Sequence, residues 1–414
     1  MLIHWIWLAT RPSVSDRQKK LLLESFDDPE DIYFAEKKAY LSVEGLTEDA
    51  VAALEDKNLK QAEHILKECM HKGIHILTMH DGAYPVRLKN IADPPVVLYY
   101  KGCLPDLDGS PVIAVVGTRK ASGYGMTVAK RMGYQIARCG GIVVSGVASG
   151  VDGMAMRGAL TAGTPVVGVL GCGADVVYPL SNRSLYADTE RCGCLITEFP
   201  PGTEPFKWNF PKRNRIISGL SSGVLVVEAP ERSGALITAR QAADQGRDVF
   251  VVPGNIDVPT CAGSNALLRE GATSVMSGWD IVSEYAHLYP DRVRKDTAPS
   301  VQTVTALEMA EAENYQPRVA QKPVLPVSKG RSDKKKEKKP IDNRQTPGYS
   351  DQRQAPQDLT EDEKRIMELL DGELLVDDLV AQLGLPTGKV LSMLTMLQIK
   401  GLIRQLPGKR VVRS

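Results

Sequence analysis

The chain has 414 residues, and its 51 lysines and arginines stand against 50 aspartates and glutamates for a formal net charge of +1. This length predicts two to four domains with sizeable cores, and the charge balance excludes a global field as the means of holding a polyanion, so any such affinity must come from a local patch. Seven scattered cysteines with no C-x-x-C pair exclude a zinc ribbon and point to buried thiols in a reducing compartment.

Met1 to Thr10 is apolar but short. It has neither a basic leader nor a small-residue cleavage site, and no stretch approaches a membrane span. A soluble, cytoplasmic protein with no membrane partner is expected. From residue 1 to about 80, Leu8, Leu21, Leu22, Leu23, Phe26, Ile32, Leu54, Ile65 and Leu66 recur at helical spacing, and Thr47-Glu48-Asp49 reads as a helix start. A small helical domain is expected over 1–80. Residues 81–110 contain Tyr84-Pro85 and Pro94-Pro95 and read as an irregular connector with one strand, Val96 to Tyr100.

From 111 to about 279 the pattern changes. Short apolar runs, Val112–Val116, Ile142–Val144, Val166–Leu170, Cys194–Thr197, Val224–Val227 and Val249–Val252, alternate with stretches of helical length. That is the signature of parallel strands with crossover helices, a doubly wound α/β sheet. The domain is expected to span 81–285. From 286 to 355 apolar periodicity is lost, and Lys329 to Lys339 is a basic run among Gln and Pro, the composition of a disordered linker. Over 356–414 a helix from Thr360 to Leu370, a second from Val376 to Leu383 and a third from Pro386 to Lys400 precede Leu402–Arg404 and Arg410–Val412, which flank Pro407-Gly408. Three helices and a hairpin make a winged helix-turn-helix pattern.

In an open parallel sheet, ligands bind outside the carboxyl ends of the strands. Five elements occupy such ends: Gly117 to Lys120, followed by the helix opening at Ser122-Gly123; Ser145-Gly146 to Gly150 and Asp152; Gly171 to Gly173 with Tyr178 and Asn182; Lys207 to Arg215; and Ser233-Gly234 to Thr238. Glycine turns free main-chain amides for an anion, and a helix N-terminus adds about half a positive charge. Lys207, Lys212, Arg213 and Arg215 stand with Trp208 and Phe210 within nine residues. Guanidinium forks fit phosphate oxygens and aromatic faces stack on bases. Placed at the start of a helix, Arg213-Asn214-Arg215 would oppose the macrodipole unless an anion offset them. The bland reading is a solvated helix start, with Ile216, Ile217 and Leu220 as core.

All six histidines lie outside 111–279, which removes the commonest general base and zinc ligand from the α/β part. There is no G-x-x-x-x-G-K-[ST], and no dinucleotide fingerprint follows the first strand. Asp152, Asp175, Glu198 and Glu228 form no obvious pair, and Asp152 reads as a helix cap. No catalytic residue, metal or cofactor is assigned.

At these turns the sequence resembles the DNA-processing protein A family (DprA, also called Smf). The resemblance is carried by VVGTRKASGYG, SGVASGVDGMAMRGAL, VLGCGADVVYPLSN, ITEFPPGTEPFKWNFPKRNRIISGL, VVEAPERSGALITARQAADQGRDVFVVPG and GSNALLREGA, in that order across most of 111–275, with HDGAYPVRLKNIADPPVVLYYKG before them. It implies an extended Rossmann-like domain that binds single-stranded DNA without catalysis and dimerises, an N-terminal helical domain of the sterile-alpha-motif or helix-hairpin-helix kind, and a C-terminal winged helix. It also implies loading of the RecA recombinase onto incoming DNA during natural transformation, with single-strand-binding protein displaced. Arg119 matches the arginine of the first glycine turn, and Lys207 and Phe210 match a lysine and an aromatic that approach phosphate and base. Arg213, Asn214 and Arg215 match the family's R-N-R, with Lys212 beside them. Ser145, Gly146, Gly150, Asp152, Asn182, Ser233, Gly234 and Thr238 match positions along the same edge. Met156 stands where the family usually has histidine. Arg11 to Ser15 replaces a glycine-rich hairpin, so no DNA contact is carried over to the N-terminal helices.

Two other readings use the same residues differently. One is an enzyme acting on a nucleotide or nucleotide sugar at the same edge, with Asp152 or Glu228 as the nearest carboxylates. The other is a transcriptional regulator acting through the C-terminal unit, whose third helix bears only Lys389 and Lys400 among apolar residues and whose wing carries Arg404, Lys409, Arg410 and Arg413.

Overall fold

The computed structural model describes residues 1–294, 361–370, 372, 374–383, 390, 393, 394, 397, 402–406 and 410–413. The chain divides into two compact units, Met1–Ala320 and Gln321–Ser414. The expected linker lies outside the described residues except for 286–294, which remain packed: Val293 is buried in the core of the first unit.

The first unit opens with six helices: α1 (Leu2–Ala9), α2 (Asp16–Ser25), α3 (Pro29–Phe34), α4 (Lys37–Leu41), α5 (Glu48–Glu55) and α6 (Lys60–Lys72). Their ends follow from local chemistry. Ser15 and Gln18 form a reciprocal capping box at α2, and the Thr47 hydroxyl accepts from the Ala50 amide at α5. Gly73 closes α6 in the left-handed conformation, φ 62°. Helix therefore stops before residue 80, and β1 (His75–Thr78) pairs antiparallel with β2 (Val97–Gly102) after the short α7 (Val86–Lys89).

The chain then alternates strand and helix: β3 (Val112–Val116), α8 (Gly123–Arg138), β4 (Ile142–Ser145), α9 (Val151–Thr161), β5 (Val166–Val169), α10 (Arg183–Cys192), β6 (Cys194–Thr197), α11 (Asn209–Leu220), β7 (Gly223–Val226), α12 (Gly234–Asp244), β8 (Asp248–Val251), α13 (Ala262–Arg269), β9 (Thr273–Ser274) and α14 (Gly278–Val282). The sheet order is β1-β2-β6-β5-β4-β3-β7-β8-β9, and from β6 to β9 every neighbour is parallel. This is the expected doubly wound, Rossmann-like sheet, extended at one edge by the antiparallel β2 and β1.

Strand side chains alternate between two cores, because successive residues point to opposite faces. Val112, Ala114 and Val116 of β3 join one cluster with α11, α12 and the N-terminal helices, and Ile113 and Val115 join the other with α8, α9, α10 and α14. Each fully buried aliphatic contributes about 1.5–3 kcal/mol, so strands apolar on both faces settle in the middle of the sandwich. After β3 the chain steps outward through β4, β5 and β6, then returns to place β7 on the other side of β3. The crevice at the carboxyl ends of β3 and β7 is the topological switch point, where such sheets hold ligands.

The second unit contains helices Glu361–Leu369 and Val376–Leu383 and a three-stranded sheet in which Arg410–Arg413 pairs with both Ile403–Leu406 and Leu374–Leu375. Ile366, Leu379, Leu383, Val390, Leu394, Leu397, Ile403 and Val411 make its core. Strand Leu374–Leu375 was not legible as such, being two residues between helices. The expected third helix, Pro386–Lys400, lies largely outside the described residues.

All seven cysteines are free, but Cys103 and Cys192 are exposed, so the expectation of buried thiols holds for five of the seven. No helix among the described residues is long and apolar enough to cross a membrane.

Candidate nucleic-acid interface

A cavity of about 310 Å³ opens at the switch point. Gly117, Thr118 and Arg119 after β3 line it, with Phe210, Arg213 and Asn214 from α11 and Arg232, Ser233, Gly234 and Thr238 at the start of α12. An adjoining cleft of about 260 Å³ is lined by Arg119, Lys120, Gly146, Ser149, Tyr178 and Arg213. The Phe210 ring lines both. Arg119 lies 5.0 Å from its centroid, Arg213 6.0 Å, and the Tyr178 ring 5.5 Å. The ring rests on Gly171, where an added Cβ would meet it at 2.8 Å.

Helical periodicity explains which part of the cation-aromatic run faces this cavity. Phe210, Arg213, Asn214 and Ile217 recur at three- and four-residue spacing and share one face of α11. Lys212 and Arg215 lie on another. There the Arg215 guanidinium reaches Asp16 at 2.8 Å, Glu198 at 2.6 Å and Asp93 at 3.2 Å, and Lys212 reaches Asp16 at 3.1 Å and Glu198 at 3.2 Å. Lys212 and Arg215 are therefore corrected as phosphate-facing cations of the cavity: they tie α11 to α2 and to the end of β6. The dipole reading is corrected too. α11 starts at Asn209, so Arg213 and Arg215 lie beyond its first turn.

The remaining candidates separate into lining and supporting positions. Arg119 is exposed, whereas Arg213 is 4% exposed and donates to the carbonyls of Gly146 (3.1 Å) and Val169. Burial pulls the Arg213 guanidinium below its ordinary value, with Asp152 opposing that; burial pushes the Asp152 carboxyl up, with Arg213 opposing in turn. Asp152 is not the cap of α9, which is Gly150; its carboxylate accepts from the Gly146 amide at 3.1 Å. Ser145 donates to the Val115 carbonyl at 2.6 Å and Asn182 to the Val147 carbonyl at 3.0 Å, so both side chains brace the main chain around the turn after β4, and neither lines the two cavities. Between them Val147 adopts φ 54°, a region a β-branched residue enters at a cost of order 1–3 kcal/mol and keeps only when its surroundings enforce it. Lys207 is exposed in the loop before α11 and lines neither cavity.

Gly150 is needed where it stands. Its φ is +78°, and a Cβ there would meet the Thr118 carbonyl oxygen at 2.3 Å and the Arg119 backbone at 2.8 Å. Gly150→Ala is expected to destabilise the protein by about 1–3 kcal/mol and to displace the Arg119 turn. Thermal unfolding checks the first effect, and oligonucleotide affinity at a temperature where the variant is folded checks the second.

Sequence reading missed Arg232, which lines the cavity immediately before the Ser233-Gly234 helix start. The rule that picked Arg119 beside a glycine turn would have found it. Glu228 at the end of β7 is 1% exposed, and it accepts from the Ser122 amide at 3.2 Å and the Ser122 hydroxyl at 2.9 Å. Both carboxylates nearest the cavity are thus committed to holding its walls. No group of three or more His, Cys, Asp or Glu side chains among the described residues is placed to hold a metal ion.

The site offers the half-buried Phe210 ring and the exposed Arg119 guanidinium, beside the N-termini of α9 and α12. The Ser233 hydroxyl caps α12 through the Ala235 amide, and α9 has no side-chain cap. Such a site suits a group that is anionic on one side and flat and apolar on the other.

Comparison with known proteins gives a consistent result. Residues 75–286 match the model of the family described as DNA recombination-mediator protein A, and residues 350–409 match that of the DprA winged helix domain. The DNA processing protein DprA of Bacillus subtilis (strain 168) is 39% identical over 259 residues, covering 61% of this chain and 86% of the relative. Protein Smf of Synechocystis is 30% identical over 415 residues, 99% of this chain and 98% of the relative. The X-ray structure of DNA processing protein A from Streptococcus pneumoniae superposes with a TM-score of 0.60 at 32% identity, covering 69% of this chain and 98% of that one.

Proposed function

This chain belongs to the DNA recombination-mediator protein A family, and from that membership we propose that it binds single-stranded DNA along the carboxyl edge of its sheet, without catalysis, and passes the strand to the RecA recombinase. In this reading phosphates approach Arg119, Arg232 and the α12 N-terminus, and a base lies on Phe210. The observation that carries it is the Phe210 ring at the switch point with guanidinium groups 5.0 and 6.0 Å from its centroid. Single strands are favoured over duplexes because a base can reach that ring only when unpaired, and stacking on an aromatic tolerates any sequence.

The proposal extends to processing of DNA taken up in natural transformation: protection of the incoming strand, displacement of single-strand-binding protein, and assembly as a homodimer through the Rossmann-like sheet layer. The family's description as a recombination mediator supports the mediator part of this extension. A nucleotide-processing enzyme is the weaker reading, since Asp152 and Glu228 are both engaged in holding main chain and turn residues.

The test is an anisotropy titration with a labelled oligothymidine over a range of salt concentrations. Arg119→Ala is expected to weaken binding and to reduce the slope of log affinity against log salt by about 0.7, one phosphate contact's share on a single strand. An unchanged slope with unchanged affinity would reject the site. Strand exchange from DNA coated with single-strand-binding protein tests the mediator role: the wild type should shorten the lag before RecA acts, and Arg119→Ala should restore it.

A further inference from the structure

Next to the cavity lies an aromatic pair that neither the cavity nor the cleft uses. Phe206 and Trp208 stack with ring centroids 4.8 Å apart and an interplanar angle of 7°. Trp208 is 70% exposed and Phe206 43%, with the exposed Lys207 between them in sequence. A buried pair would need no explanation. An exposed indole with one face backed by phenylalanine and the other in water leaves a large apolar surface unsatisfied.

The loop that carries the pair is fixed to the sheet. Asn209 donates through Nδ2 to the Gly171 carbonyl at 3.0 Å and the Glu204 carbonyl at 3.2 Å, and the Asn209 amide donates to the Phe206 carbonyl at 3.0 Å. One step back, the Gly173 amide donates to the Thr203 carbonyl at 2.9 Å. The platform is therefore held over the turn after β5, beside Phe210 on Gly171. Along the carboxyl edge the switch-point cavity lies at β3 and β7, Phe210 lies on Gly171 after β5, and the loop that bears the indole is tied to Gly171 and Gly173 after the same strand. Two interstrand spacings, roughly 10 Å, separate β3 from β5.

We propose that Trp208, backed by Phe206, is a second base-stacking platform that extends the single-stranded DNA track from the switch point toward β6, with Lys207 meeting the phosphate between the two bases. This rests on the single-strand reading given above. It commits to an unpaired nucleobase as the occupant because the parallel Phe206 ring presents the free indole face as a flat stacking surface, a cation adjoins it, and it continues the edge on which Phe210 lies. The platform makes binding depend on strand length: a short oligonucleotide fills the cavity alone, and a longer one also covers the indole.

The experiment uses the full chain and oligothymidines of roughly 4 to roughly 16 nucleotides. Trp208→Ala is expected to weaken binding of the longer strands by about 5- to 150-fold, the loss of one stacked base, and to leave the shortest unchanged. Trp208→Phe should keep affinity within a few fold. Of the other tryptophans Trp5 and Trp7 are buried and Trp279 half-buried, so long strands should quench wild-type emission and Trp208→Phe should abolish that quench. Wild-type affinity of Trp208→Ala at every length, with Arg119→Ala still weakened, overturns the platform and leaves the single-strand reading standing. If both variants bind like wild type, both proposals fall. A Trp208 signal that tracks protein concentration without DNA, with a matching change in sedimentation, makes the pair a protein contact and also overturns the platform.

Discussion

Arg215→Ala is expected to lower the free energy of unfolding by up to about 3–5 kcal/mol, the cost of taking the main partner from a buried carboxylate. Arg215 is 4% exposed and bridges Glu198, whose side chain is 6% exposed, and Asp16 of α2, at 11%. Burial pushes the Glu198 carboxyl up even with Arg215 and Lys212 beside it. Burial acts in the same direction on Asp16, but Lys19, Arg215 and Lys212 outweigh it and hold that carboxyl well below its ordinary value. Removing Arg215 strips the largest attractive partner from Glu198 and one of three from Asp16. Urea unfolding monitored by circular dichroism reads the loss as a lower midpoint at unchanged slope.

The pH dependence of that loss has a definite sign. In the variant the folded pKa of Glu198 rises further above its unfolded value. A carboxyl raised in this way destabilises the fold above that pKa, and the penalty is relieved as pH falls through it. The gap between variant and wild type should therefore shrink as the pH is lowered from neutral toward the ordinary carboxylate range. Lys212→Ala serves as the control: its side chain is 48% exposed, and its pairs should contribute no more than about 1 kcal/mol. Equal unfolding midpoints for Arg215→Ala and wild type would show that the cluster does not hold α11 to the N-terminal layer. Lost DNA binding at intact stability would return Arg215 to the DNA site.

Phe210→Ala should weaken binding of single-stranded DNA by about 5- to 150-fold, corresponding to roughly 1–3 kcal/mol for one stacked base. Arg119 and Arg213 also lie over the ring, with their guanidinium carbons 5.0 and 6.0 Å from its centroid, and Tyr178 contacts it. Two readouts separate stacking from charge. Phe210→Ala should leave the salt slope near that of wild type, whereas Arg119→Ala should reduce it. The double variant should lose less than the sum of the two single losses, because Arg119 rests on the ring that the second substitution removes. Anisotropy titrations of the four proteins at several salt concentrations complete the cycle. A Phe210→Ala variant with undiminished affinity would remove the aromatic from the proposed track.

Much of this was legible along the chain. Runs such as Val112–Val116 and Val224–Val226 are apolar at every position, which only a strand buried on both faces explains, and each ends in a turn that the sheet places at one edge. Arg119 and the Ser233-Gly234 helix start were readable because they adjoin such turns. His75–Thr78 was not, because four residues after a helix carry no periodicity of their own, and the strand forms only by pairing with β2.

Sequence alone determined the alternation of strand and helix, and with it the edge where glycine turns and cations gather, because those depend on residue type and local spacing. Tertiary structure decided which cations remain available. Lys212, Arg213 and Arg215 stand within four consecutive residues, yet one turn of helix sends Arg213 toward the Phe210 cavity and the other two toward Glu198 and toward Asp16, which lies 199 residues from Arg215 in sequence. Coulomb attraction falls with distance in space and strengthens with burial, and neither quantity can be read from the order of residues.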